Sequence, residues 1–262
     1  TRELGDTLTA IAEDKSHVIT GEQKCVYFAE QEPEVLEVLQ RRAETLHIPY
    51  KIYGRDFHAE NIRYTCFGMQ FDVEIGDNIY ADLQIPLLGE HQAKNCALAL
   101  AVCVDVLSDL RRESAVFSLP DIRKNLSLLH WPGRMEVLRS KPFVLLDACI
   151  NATSCENVKE VLRHLGVWNC TVIVGIPEDK DYAGVVRSMK GMANRIILTR
   201  SGNPHYHFSQ KQQETLAEED IGTIWTDSVK QALTLAGSCP DPIVILGTTS
   251  VISEVEQIFQ QS

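Results

Sequence analysis

The chain has 262 residues, 44% hydrophobic and 23% charged, enough apolar content for one large core or two small ones and too much for a disordered polypeptide. A formal charge of −11, with no run of Lys or Arg, disfavours a nucleic-acid or anionic-membrane surface. Eight cysteines, none in a C-x-x-C pair, read as buried reduced thiols of a cytoplasmic protein rather than as a zinc site.

No apolar run approaches the roughly 18 residues of a membrane span, and no signal peptide is visible. The chain opens on Thr1, as a processed or partial polypeptide would. In chain order, residues 3–16 read as a helix with Leu4, Leu8, Ile11 and Ala12 on one face. Residues 25–29 (CVYFA) form a short apolar strand, 34–47 an amphipathic helix, and 50–53 a second strand. A β-rich stretch spans 61–86, with turn signals at Gly68-Met69 and Gly76-Asp77-Asn78. Residues 89–110 begin as a loop and become a long apolar helix. Residues 118–129 form another helix, with Ser118, Pro120 and Asp121 as start signals. His130-Trp131-Pro132-Gly133 breaks it, which sets the domains at 1–130 and 131–262.

From Lys141 the pattern becomes regular alternation. Strands at 143–146, 171–174, 195–198, 223–225 and 243–246 alternate with helices at 156–165, 182–191, 210–218, 228–236 and 251–259. Short apolar strands separated by helices predict βαβ units and a parallel sheet with helices on both faces. Ligands on such sheets bind beyond the carboxyl ends of the strands, which here carry Asp147, Gly175, Thr199 and Gly247.

Several segments carry chemistry-bearing residues. Lys15, in LGDTLTAIAEDKSHVI, would by itself be a solvated helix lysine. Gln92 and Asn95, in LLGEHQAKN, either cap the following helix or use their amides as donor and acceptor on a purine edge. Arg134, in WPGRME, is either a linker salt-bridge residue or a fork for phosphate oxygens. Asp147 and Asn151 lie in LLDACINA. Cys149 between them has no sequence-placed His to activate it as a nucleophile. Asp179-Lys180-Asp181 reads as a solvated turn, and His205 and His207 as surface residues rather than metal ligands.

Together these segments resemble, in order and spacing, those of folylpolyglutamate synthases and the wider Mur ligase superfamily. The matching family patterns are LGDTLxxIAxEKAGII, LLGxHQxxN, WPGRxE, LLDGAHNP, GxxxDKD and LTxxxxNPR. The resemblance implies an α/β fold: a partial Mur-ligase central, ATP-binding domain over 1–130, followed by a Rossmann-like parallel-sheet domain over 131–262. It implies that Lys15 is carbamylated and helps position Mg2+. It places Gln92 and Asn95 near the adenine of ATP, Arg134 at the phosphates, and Asp147 and Asn151 at the nucleotide. The implied reaction is ATP-dependent addition of L-glutamate to folate or pteroate through an acyl phosphate. Ile150 stands where the family has His, and an alkyl side chain cannot donate to phosphate or ribose.

The family's phosphate loop, G-x-x-x-x-G-K-[ST], occurs nowhere in the sequence. In the family it lies upstream, with a magnesium-binding Glu and His. The first domain is therefore expected to expose a strand edge or an apolar face, to be covered by an upstream polypeptide or by self-association. Isolated, the chain is expected to be inactive. Two further readings stay open: a non-catalytic binding or assembly module, and a Mur-type ligase with another acceptor.

Overall fold

A computed structural model describes residues 7–65, 68–110 and 118–261. The chain divides into two compact units, one of Thr1–Thr65, Met69–Ile85 and Glu90–Leu128, the other of Cys66–Gly68, Pro86–Gly89 and Leu129–Ser262.

The first unit begins with α1 (Leu8–Ser16), whose start is fixed by Thr7: its side-chain oxygen accepts from the Ala10 N–H at 3.1 Å. The predicted apolar face is only partly real, since Ala12 is buried but Leu8 is 49% exposed; Leu4 lies outside the described residues. β1 (Val26–Phe28) and β2 (Tyr50–Ile52) form a two-stranded parallel pair bridged by α2 (Pro33–Thr45). Phe28, Ala43, Ile48 and Ile52 bury together with Ile19 to hold that crossover. At about 2 kcal/mol for each large side chain, their burial far exceeds what one short strand pair supplies.

β3 (Phe57–Thr65), β4 (Gly68–Ile75) and β5 (Asn78–Ile85) make a three-stranded sheet in that order. Alternation dictates its faces: Met69, Phe71, Val73 and Ile75 are buried while Gln70, Asp72 and Glu74 are half-exposed. Gly76-Asp77 is a turn as expected, but Gly68-Met69 is the start of β4 and not a turn. Met69 is fully buried and pairs with Ile85, so the hydrophobic register overrides the local glycine signal. α3 (Glu90–Leu110) and α4 (Leu119–Leu126) complete the unit; Ser118 Oγ accepts from Asp121 N–H and caps α4.

The second unit is a six-stranded sheet ordered β10-β9-β8-β11-β7-β6, made of β6 (Glu136–Ser140), β7 (Phe143–Asp147), β8 (Cys170–Gly175), β9 (Ala193–Thr199), β10 (Ile224–Thr226) and β11 (Ile243–Gly247). All neighbouring pairs are parallel except β6 with β7. The helices are α5 (Ala152–His164), α6 (Tyr182–Met189), α7 (Lys211–Glu218), α8 (Val229–Ala236) and α9 (Thr249–Gln260). Every residue of β8 and β11 is buried, as parallel strands covered on both faces require. Val144, Leu146, Ile173, Ile197 and Ile245 pack with Val229, Val251 and Val255. At the carboxyl ends of β8 and β11 a Cβ on Gly247 would lie 2.7 Å from the Gly175 carbonyl oxygen, so a side chain has no room there.

Candidate functional site

β7 ends at Asp147, which is 7% exposed. Two hydrogen bonds tie the end of β7 and the residue that follows it to the W-P-G-R-M segment. The Ala148 N–H donates to the Gly133 carbonyl at 2.8 Å, and the Met135 N–H donates to Asp147 Oδ2 at 2.9 Å. The segment can reach both because Gly133 and Met135 adopt left-handed backbone, with φ of +62° and +48°. For Met135 this is an unfavourable conformation, compensated by a buried bond to a carboxylate. Between them sits half-buried Arg134, its Nη1 donating at 3.4 Å to the Gly133 carbonyl. Glu136 accepts from the Gly133 N–H at 2.8 Å and closes the turn.

Burial pushes the Asp147 carboxyl up to about 6, against the opposing pull of the Met135 N–H, the Arg134 charge and the Cys149 N–H. The arrangement is a fixed carboxylate beside a permanent cation at the carboxyl end of a parallel strand. Such a pair can hold a polyanion or a metal-bound phosphate where charge changes during reaction.

The next residues are occupied by structure. Asn151 caps α5: its Oδ1 accepts from the Ser154 N–H at 2.8 Å. Asp181 caps α6 through the Gly184 N–H at 3.0 Å and also accepts from the Ala152 N–H at 2.9 Å, so it joins two helix starts. Asp179 and Lys180 form an exposed ion pair at 3.0 Å. Cys149 is buried with its thiol pushed far up, chiefly by the bond with Cys155 and by burial, so no thiolate is available at neutral pH.

A second feature of this unit combines Thr199, which the sequence placed at a strand end, with Ser201 and Thr248, whose hydroxyls it gave no role. Thr199 Oγ1, Ser201 Oγ and Thr248 Oγ1 are buried and find no hydrogen-bond partner among the described residues. They lie at the carboxyl ends of β9 and β11, and Thr248 precedes α9 without capping it. A cleft of about 440 Å³, lined by Arg200, Ser201, Asn203, Asp227 and Glu254 among others, opens beside them. The available signal was hydroxyl residues at strand ends, in LTRS and GTTS, where a core position would carry an aliphatic side chain.

In the first unit, Lys15 occupies the last turn of α1 with its side chain 65% exposed, 3.5 Å from Asp14 Oδ2. Gln92 is buried and its Oε1 accepts from Asn95 Nδ2 at 3.3 Å, while Asn95 is exposed. The two amides meet inside α3 and are not its caps. An apolar cleft of about 310 Å³ runs between Val18, Ile19, Val26, Leu98 and Val102. Beside it, Ala99, Cys103 and Val106 are exposed on α3.

These elements define an α/β protein of the Mur ligase type, and residues 3–103 match the Mur ligase middle domain. The chain is a homologue of folylpolyglutamate synthases and corresponds to the carboxyl-terminal portion of that family. It is 27% identical to the folylpolyglutamate synthase of Lacticaseibacillus casei over 255 residues, covering 97% of this chain and 58% of the relative. It is 24% identical to the dihydrofolate synthase/folylpolyglutamate synthase of Bacillus subtilis, covering 97% and 59%. A structure of the Mycobacterium tuberculosis folylpolyglutamate synthase with ADP and AMPPCP superposes with a TM-score of 0.87 at 22% identity, over 99% of this chain and 61% of that one. The apo L. casei enzyme superposes with a TM-score of 0.76 at 25% identity, over 99% and 58%. The chain thus spans about three fifths of the length of these relatives.

Proposed function

We propose that this chain is the carboxyl-terminal part of an ATP-dependent ligase that adds L-glutamate to folate or pteroate, working together with an upstream portion such as its relatives carry. In this reading residues 1–130 are the remainder of the ATP-binding central domain and 131–262 the carboxyl-terminal domain. The observation that carries it is the Arg134–Asp147 arrangement, built by two unusual backbone conformations and a buried carboxylate bond. Arg134 meets the phosphates of ATP, and Asp147 holds the Arg134 turn in place and faces the nucleotide. Gln92 and Asn95 serve the adenine. Asn151, already spent on capping α5, contributes through the position of that helix start.

For Mg2+, the fit rests on the exposed Lys15 amine beside Asp14. Carbamylated, it offers a carboxylate next to a second one, a hard oxygen set suited to this ion. Bound Mg2+ supplies charge neutralisation on the phosphates. The buried hydroxyls of Thr199, Ser201 and Thr248, with Arg200 at the neighbouring cleft, suit the carboxylates of an incoming glutamate. The uncovered apolar cleft of the first unit is where the upstream portion packs, and the isolated chain is inactive for want of a phosphate loop. Restoring the upstream portion and assaying glutamate addition tests the whole reading, since a complete polypeptide without turnover contradicts it.

A second reading, a non-catalytic binding module, is favoured by Ile150 in place of a donor in the Asp147 loop. An Ile150→His variant of the complete polypeptide that gains activity argues against it.

A further inference from the structure

The open face of the three-stranded sheet in the first unit carries a cluster that the proposed reaction does not use. His58 and Glu60 are two apart on β3 and so share a face. The Gly76 N–H donates to the Asp56 carbonyl at 3.1 Å, and continuing that pairing sets Glu74 of β4 opposite His58. His58 Nε2 lies 3.9 Å from Glu60 Oε2 and 3.7 Å from Glu74 Oε2, and one ligand atom from each of the three lies within 4.8 Å of the others.

These separations are too long for hydrogen bonds and close to those of ligands around one ion. Bonds of about 2.1 Å to a tetrahedral centre place neighbouring ligand atoms roughly 3.4 Å apart. Rotamer adjustments of a few tenths of an ångström in the glutamates would close the two distances from His58. Among the described residues, neither glutamate forms an ion pair with Lys or Arg, so two half-buried carboxylates face one imidazole. All three side chains stand on paired strands, which fixes their positions better than loops would.

We propose that His58, Glu60 and Glu74 form a binding site for a divalent transition metal, Zn2+ foremost, with water completing the coordination. The imidazole selects against Mg2+ and Ca2+, which favour all-oxygen sets. Bound to the native state alone, the ion clips β3 to β4 and raises the melting temperature. The site is independent of ATP use and of the Lys15 region.

Calorimetric titration of the chain with ZnCl2, with melting curves in parallel, tests this. The expected result is one equivalent bound at micromolar concentration or below, with a raised Tm. His58→Gln and Glu74→Gln should each weaken binding at least tenfold, whereas a His205→Ala/His207→Ala variant should bind as the parent does. Co2+ substitution should give d–d absorption without thiolate charge-transfer bands. Absence of micromolar binding overturns the proposal. So does binding that survives both His58→Gln and Glu74→Gln, which would mark an adventitious ion only, held at thiols or at the H-x-H loop. Unchanged melting of the variants without metal confirms that any loss is not misfolding, and Glu60→Gln provides a third arm if one variant fails to fold.

Discussion

Asp147 shows how one residue couples stability to pH. Its carboxyl titrates at about 6 in the fold and near the ordinary 3.8 when unfolded. Between these values the native state binds more protons than the unfolded one, so this residue's contribution to stability is fully present below pH 4 and is lost as pH rises through 6. The span corresponds to about 3 kcal/mol. In Asp147→Asn, which keeps an acceptor for the Met135 N–H, that component is absent. Urea denaturation from pH 4 to 7 should therefore show the parent losing stability relative to the variant by up to that amount. Gly133 permits a second prediction. A Cβ there would lie 2.4 Å from Ile252 Cγ2 at a φ of +62°. Gly133→Ala should cost about 2–4 kcal/mol, read from the urea midpoint, and pairing it with Ile252→Ala should make the two costs less than additive. The sequence displayed Asp147 as a carboxylate ending an apolar strand. It did not display the bond to Met135, which spans twelve positions and depends on two left-handed residues that propensity does not foresee.

At the scale of elements, the carboxyl-terminal strands were legible because parallel strands covered on both faces are continuous apolar runs. β6 was not: it is an edge strand reading EVLRS with mostly exposed side chains, so neither a run nor a clean alternation marks it. Gly68-Met69 opens β4 because burial of Met69 and Phe71 sets the register there, while the connection from β3 lies outside the described residues. The start of α4 was legible because Ser118 precedes its periodic segment, whereas α5 begins at Ala152, ahead of the expected 156. Asn151 follows the same logic, and Asn151→Ala should destabilise by about 1 kcal/mol, while Asn151→Asp should be nearly neutral, by thermal or urea unfolding. Thr199 was legible as a strand-end residue, but the burial of its hydroxyl with those of Ser201 and Thr248 was not, because exposure and partnering are properties of the assembled sheet.

For the whole molecule, the sequence motifs led to a homologue of folylpolyglutamate synthases that spans about three fifths of its relatives. The remaining question is whether Arg134 and Asp147 serve ATP in glutamate addition. A buried carboxylate with a raised pKa next to a guanidinium is where functional sites concentrate, and removing a charge that meets transferring phosphates typically costs on the order of 100-fold in rate. The most direct test is the rate of ATP-dependent glutamate addition to folate by a polypeptide joining an upstream phosphate-loop portion to this chain, measured for the parent and for Arg134→Ala. The predicted result is turnover in the parent and a drop of roughly 100-fold in the variant; no turnover in the parent, or equal rates in the two, would contradict it.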